Sequence, residues 1–306
     1  MYSSSQFILI YTIIGIKVKE LKLKHKEKEM KKKLTVKDLF DLKGKRKLTE
    51  LTVNNPMEAE ACEEAGIDII NVAGGPKNNF ISIFDTNKWF KGASTKDIRA
   101  AAPNTFMIMG LGMCSSIPEA IDGGLQCLGA GADAIYIGNS PSFIEALTKE
   151  GIPCVSHVGL IPYKSTWTGG FKAVGKTKES AKKVYDLTKA YDAAGAIAVE
   201  MECVPYKVAE VITKDVKLLT LSMGSGSACD AQFLFIQDII GTEQKYIPRH
   251  AKVYRDLSKK YLELKDDTKK TVEEFVAEVT EGKFPEKKHL VEIEDQEFNS
   301  FLEEIK

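Results

Sequence analysis

The run AIAVEMECVP, Ala196–Pro205, decides how this chain is read. It opens as an apolar strand and ends on an acid, Glu202, followed closely by a proline suited to a helix start. In a protein built of repeating strand–helix units, chemistry is placed at the carboxyl ends of strands. A second run, PCVSHVGLIP (Pro153–Pro162), delivers His157 in the same way, and a glycine-rich segment, TWTGGFKAVGK (Thr166–Lys176), follows it. Three other strand ends carry glycine where an acid could stand: Gly74, Gly110 and Gly138.

Working outward, the same unit recurs from about Lys47: a short β-rich run, a turn, then a segment with helical spacing. The expected strands are KLTELTV, DIINVAG, TFMIMGLG, AIYIGN, PCVSHVG, AIAVEMEC and KLLTLSMG, and an eighth has to come from DAQFLFIQDIIGT. Pro56, Pro118 and Pro205 stand at helix starts, while Gly66 and Gly195 stand at helix ends. Near-continuous apolar strands require both sheet faces to be covered, which leaves a closed eight-stranded barrel or a doubly wound open sheet. The tetrapeptides AGID (Ala65–Asp68) and AGAD (Ala130–Asp133), echoed by AAGA (Ala193–Ala196), favour the barrel. Neither GxGxxG after the first strand nor GxxxxGK[ST] occurs, so the usual nucleotide cradles are missing.

Composition narrows the function classes. With 43 basic and 43 acidic side chains, the chain has no electrostatic reason to seek nucleic acid or an anionic membrane. Six cysteines without a CxxC pair read as reduced, buried thiols, which fits a cytoplasmic protein. Residues 1–33 read as an extension outside the fold. FILIYTIIGI (Phe7–Ile16) is too short to span a bilayer, and the lysine-rich stretch after it is expected to be solvated. The chain from Met30 reads as a domain with its own start. Residues 34–285 are expected to hold the barrel with added C-terminal helices, and 286–306 an acidic tail.

Particular blocks carry a resemblance that periodicity does not. SHVGLIP, GGFKAVGK, AAGAIAVEMECVP and MGSGSACDAQFLFIQDIIGT together resemble the ketopantoate hydroxymethyltransferase (3-methyl-2-oxobutanoate hydroxymethyltransferase) family over about Leu34 to Pro285. The resemblance implies a (β/α)8 TIM barrel of the phosphoenolpyruvate mutase and isocitrate lyase type, a homo-oligomer, and a place in pantothenate synthesis. It implies transfer of a hydroxymethyl unit from methylene-tetrahydrofolate to an α-keto acid that is held by Mg²⁺.

Residue by residue, Glu202 matches the family's base, which removes a proton from the carbon next to the keto group, and His157 matches a histidine of the substrate pocket. The metal set does not carry over. Gly74 and Gly75 stand for an aspartate–serine pair, Gly110 for a second aspartate and Gly138 for a glutamate, while Tyr136 replaces the lysine that pairs with the substrate carboxylate. A hard divalent cation takes oxygen ligands, chiefly carboxylates, so the family's Mg²⁺ site is expected to be lost. Asp85, Asp122 and Asp133 lie near in sequence but read as loop or helix-start residues.

The expected site is therefore Glu202 as catalytic base, with His157, Gly74, Gly75, Gly110, Tyr136 and Ser225 around a small-molecule substrate and no metal ligand. Blander readings stand beside these. His157 could be a hydrogen-bonded core residue, Tyr136 could merely fill the lysine's volume, and MGSGS could be a tight turn as readily as an anion nest. Lys172 and Lys176 suit an anionic ligand or open solvent equally, and Asp230 reads as a helix cap. Two functions follow: an enolising, aldol-type enzyme, changed in substrate and independent of metal, or a barrel without catalysis kept as a binding or oligomeric scaffold.

Overall fold

The computed structural model describes residues 32–73, 95–242 and 246–306. Phe7–Ile16, Gly74, Gly75 and Asp85 fall outside the described residues. The chain divides into two compact units, Met1–Tyr254 and Arg255–Lys306, whereas the sequence reading draws its boundary at Pro285.

In the first unit eight parallel strands close into a barrel in chain order: β1 Leu48–Val53, β2 Ile69–Val72, β3 Phe106–Gly112, β4 Ala134–Ile137, β5 Cys154–Gly159, β6 Ala198–Glu202, β7 Leu219–Met223 and β8 Ala231–Phe235. β8 pairs with both β7 and β1, so the eighth unit comes from the segment the sequence offered for it. The helices are α1 Val36–Leu42, α2 Pro56–Ala65, α3 Thr95–Ala101, α4 Ile117–Gly129, α5 Pro141–Lys149, α6 Ser165–Thr168, α7 Lys178–Ala193, α8 Tyr206–Asp215 and α9 Ile236–Ile240. Their starts are written locally. The side chains of Asn55, Ser116 and Thr177 each accept an amide of the first turn of α2, α4 and α7, and Pro56 follows Asn55 directly. At the end of α2, Gly66 takes φ +83°, a left-handed cap that glycine adopts without steric cost.

Two apolar cores result. One lies between barrel and helices and takes in Ile70, Met107, Ile135, Val199, Tyr191 and Ile212. The other fills the lower barrel with Leu48, Ile69, Phe106, Ile108, Val155, Leu219 and Leu221, and Leu39 of α1 closes it from beneath. The barrel is thus a packed core with an apolar floor, and polar side chains inside it need partners of their own.

Around the lower rim a single device recurs. Asp68, just before β2, accepts the Thr49 amide at 3.0 Å and the Thr49 hydroxyl at 3.1 Å, and its own amide donates to that hydroxyl at 3.2 Å. Asp230, just before β8, does the same with Thr220 at 2.9, 3.1 and 3.2 Å. Asp133, before β4, accepts the Met107 amide at 2.9 Å. Each carboxylate also meets cations: Arg46 forks onto Asp68, Lys43 reaches Asp230, and Lys33 and Arg99 reach Asp133. These aspartates latch neighbouring strands together. This corrects the helix-cap reading of Asp230 and the loop or helix-start reading of Asp133, since a strand follows each of them.

The second unit contains α10 Ser258–Thr280 and α11 Asp295–Glu304. Among the described residues no helix is long and apolar enough to cross a membrane.

Candidate active site

The ends of β5 and β6 are drawn together by a glycine. Gly159 has φ +90°, and a Cβ there would fall on the carbonyl of Glu202. That carbonyl instead accepts the Leu160 amide at 2.9 Å. The register sets His157 beside Glu200 and Gly159 beside Glu202. Because side chains alternate along a strand, Glu200 and Glu202 share the inner face of β6.

Just past Glu202 the backbone is forced. Cys203 has φ +52°, the one non-glycine positive φ among the described residues. Ser225 holds this turn: its hydroxyl donates to the Met201 carbonyl at 2.7 Å and accepts the Val204 amide at 2.9 Å, bracketing Glu202 on both sides. Ser225 is fully buried and its hydroxyl braces β6.

Above the apolar floor lies a polar layer: Glu50 of β1, Asn71 of β2, Tyr136 of β4, His157 of β5 and Glu200 of β6. Asn71 Nδ2 donates to Glu200 Oε1 at 3.0 Å and approaches Glu50 Oε1 at 3.4 Å. Tyr136 Oη lies 3.0 Å from His157 Nδ1, and Glu200 Oε2 lies 3.4 Å from the same nitrogen. The other ring nitrogen, Nε2, faces Glu202 Oε2 at 3.3 Å but makes no well-aligned hydrogen bond. Glu50 and Glu200 are almost wholly enclosed, and burial pushes both carboxyls up, Glu50 to about 8 and Glu200 well above the ordinary carboxylate value. The carboxylates of Glu50 and Glu202 add to the burial effect on Glu200. Tyr136 is also held well above its usual value, first by burial and then by the nearby acids, so it stays a hydroxyl. Glu202 is the more open acid, its side chain 12% exposed against 4% for His157.

The sequence-derived residues thus separate into groups. Glu202, His157 and Tyr136 come together. Gly110 lies on β3 beside Tyr136 in register and offers backbone alone. At Gly138 the carbonyl accepts the Tyr163 hydroxyl, and a side chain would run into that ring. Among the described residues no set of three His, Cys, Asp or Glu side chains is arranged to hold a metal ion. Beside Cys203 a cavity of about 680 Å³ is lined in part by Lys176, Pro205, Gly224, Gly226 and Arg249, a size suited to a small ligand. Sequence reasoning missed Glu50, Asn71 and Glu200. The alternation E-M-E in AVEMEC was a signal for Glu200, since it puts that residue on the face of Glu202. All six cysteines are free, five of them buried.

The profile of the ketopantoate hydroxymethyltransferase family matches residues 33–287. The 3-methyl-2-oxobutanoate hydroxymethyltransferase of Clostridium botulinum (strain Alaska E43 / Type E3) is 32% identical over 272 residues, covering 84% of this chain and 94% of that protein. The enzyme of the same name from Pyrococcus furiosus is 30% identical over 285 residues, covering 90% and 98%. Among solved structures the chain is similar to 2,3-dimethylmalate lyase, a phosphoenolpyruvate mutase/isocitrate lyase superfamily member, with TM-score 0.47 and 14% identity over 67% of this chain and 81% of that one. On the family profile and these relatives, which span nearly the whole barrel, the chain belongs to the ketopantoate hydroxymethyltransferase family.

Proposed function

We propose that this protein is an enzyme of the ketopantoate hydroxymethyltransferase type that enolises an α-keto acid or similar small anion, with Glu202 as the base, on a substrate changed from the family's and without the family's divalent cation. The observation that carries this reading is the pairing of a partly open carboxylate, Glu202, with the unpartnered Nε2 of a buried histidine. A carbon acid needs a base within hydrogen-bond reach of its proton and a donor for the oxygen that gains charge. Glu202 supplies the first and His157 Nε2–H the second. The C–H bond breaks toward the Glu202 carboxylate, the electron pair moves onto the carbonyl oxygen, and His157 donates to the enolate. A one-carbon electrophile, methylene-tetrahydrofolate in the family's reaction, would then take the carbon–carbon bond.

The residues present do not fit the family's cation. Where the family has a glutamate, Tyr163 fills the space over Gly138, and glycine also stands at Gly74 and Gly110. Tyr136, in the lysine's place, is turned to His157. A non-catalytic scaffold gains nothing from this arrangement, because an orphaned buried nitrogen beside a carboxylate costs stability unless a ligand uses it.

The reading is tested by incubating the protein in deuterated water with a panel of α-keto acids, in EDTA and in Mg²⁺, and following loss of the hydrogens on the carbon next to the keto group by NMR. Exchange of at least one acid at the same rate in both media is expected. Exchange that requires Mg²⁺ contradicts metal independence, and no exchange across the panel contradicts enolisation of keto acids.

A further inference from the structure

The layer beneath Glu202 contains more titratable groups than one base and one donor require. His157 is approached from three sides: Tyr136 Oη at 3.0 Å and Glu200 Oε2 at 3.4 Å on Nδ1, and Glu202 Oε2 at 3.3 Å on Nε2. A neutral imidazole carries one hydrogen, and which nitrogen holds it is set by what the other accepts. We infer that Glu200 and Tyr136 are positioning residues for the site: together they set the tautomer of His157, with Nδ1 as acceptor and Nε2 as the donor presented to substrate. This rests on the enolising role assigned to Glu202 and His157.

The surroundings leave Tyr136 as the donor to Nδ1. Burial keeps its hydroxyl protonated, so a hydrogen is at hand to donate to Nδ1 at 3.0 Å, and this is the direction we assign. Glu200 then has to be a neutral carboxyl. As an anion it would accept from Nδ1, drawing the ring's one hydrogen there and leaving Nε2 as an acceptor facing Glu202. That tautomer would set two acceptors, Nε2 and the Glu202 carboxylate, against each other and take Nδ1 away from Tyr136 as an acceptor. Several features keep Glu200 neutral. It is 5% exposed, and its one hydrogen-bond donor partner among the described residues, Asn71, is uncharged. The groups facing it are Glu50 from β1, Asn71 from β2, Tyr136 from β4, His157 from β5 and Glu202 from β6. On β3, β7 and β8 the residues in register with Asn71, Glu200 and Glu50 are Ile108, Leu221 and Phe233, all buried and apolar. No lysine or arginine is among them, so nothing in the layer compensates a second buried anion.

A His157 with its hydrogen on Nδ1 has none at Nε2 to offer the oxygen that gains charge. Raising the pH through the ionisation of Glu200 should therefore weaken catalysis, the reverse of what a free carboxylate base alone would do.

The experiment uses the whole chain labelled with ¹⁵N-histidine. The two ring nitrogens resonate far apart according to which carries hydrogen, so the spectrum reads the tautomer without any substrate. Wild-type His157 is expected as the Nε2–H tautomer. Tyr136→Phe, which keeps the ring and removes the donor, should shift the population toward Nδ1–H. In deuterium exchange with whichever keto acid reacts, the wild-type rate should fall as the pH is raised through the ionisation of Glu200. Glu200→Gln, which cannot ionise, should flatten that fall. Tyr136→Phe should lower kcat about tenfold with little change in KM. A wild-type spectrum with Nδ1–H, or a tautomer unmoved by Tyr136→Phe, overturns the inference, as does an unchanged pH profile in Glu200→Gln. If no keto acid exchanges, the enolising role falls, and the spectra still decide whether Tyr136 and Glu200 set the tautomer.

Discussion

At the residue scale, the distinctive feature is a pair of buried acids, Glu50 and Glu200, inside a barrel whose floor is apolar. Their effect on stability has a definite sign. Both have folded-state values raised by burial, so the folded protein holds protons that the unfolded chain releases above the ordinary carboxylate range. Between that range and about 8, the value of Glu50, stability falls as pH rises, by ~1.4 kcal/mol per pH unit for each proton taken up on folding. Thermal unfolding followed by circular dichroism is expected to give a lower Tm at pH 8 than at pH 6, and Glu50→Gln should reduce that difference. A Tm that rises over this interval, or a slope untouched by Glu50→Gln, would show that Glu50 is ionised in the folded state.

At the scale of elements, the strands that carry the site are aligned from below by aspartates. Burial pushes the Asp68 carboxyl up, but the hydrogen bonds from Arg46 and from Thr49 reverse this and leave it below its ordinary value. The sign is opposite to that of Glu50: the stabilisation is present above the unfolded value and is lost as pH falls through the folded one. Asp68→Asn, which leaves Arg46 without its forked partner, should cost about 2–3 kcal/mol in urea unfolding at pH 7. It should also lessen the loss of stability below pH 4. A cost under half a kcal/mol would mean the latch adds nothing beyond the β1–β2 ladder.

Strands and helices were legible because their signals are local: apolar runs of strand length, proline and Asn, Ser or Thr at helix starts, glycine after helix ends. The seven strand runs of the sequence each contain an observed strand, and AQFLF supplies the eighth. The aspartate latches were half-visible as the AGID and AGAD repeat, but their partners Thr49 and Thr220 lie on neighbouring strands and cannot be assigned before the register is known. The same holds for the site. Glu202 and His157 announce themselves at strand ends, whereas Glu50 and Asn71 join them only when β1, β2 and β6 close around one axis. Ser225 looked like a loop donor and is a brace, a difference that lies in the Cys203 turn rather than in any sequence pattern.

For the molecule as a whole, the family's oligomeric habit is a proposal for this chain, supported by apolar residues left exposed on α10, among them Val272, Phe275, Val276 and Val279. A monomeric soluble protein seldom leaves such groups open to water. Size-exclusion chromatography with light scattering is expected to give a mass several times the 33.8 kDa of one chain. A mass of one chain at micromolar concentration would contradict it.

The account stands or falls on Glu202. It is the acid at the open end of the polar layer, bracketed by Ser225 and faced by His157, and no other described residue is offered as the base. The measurement is the rate of deuterium uptake at the carbon next to the keto group of the most reactive keto acid, compared between wild type and Glu202→Gln at pH 7 in EDTA. Removing a positioned general base costs on the order of a hundredfold to ten-thousandfold, and a loss in that range with the fold intact by circular dichroism is the predicted result. Exchange catalysed equally well by Glu202→Gln would contradict the central claim.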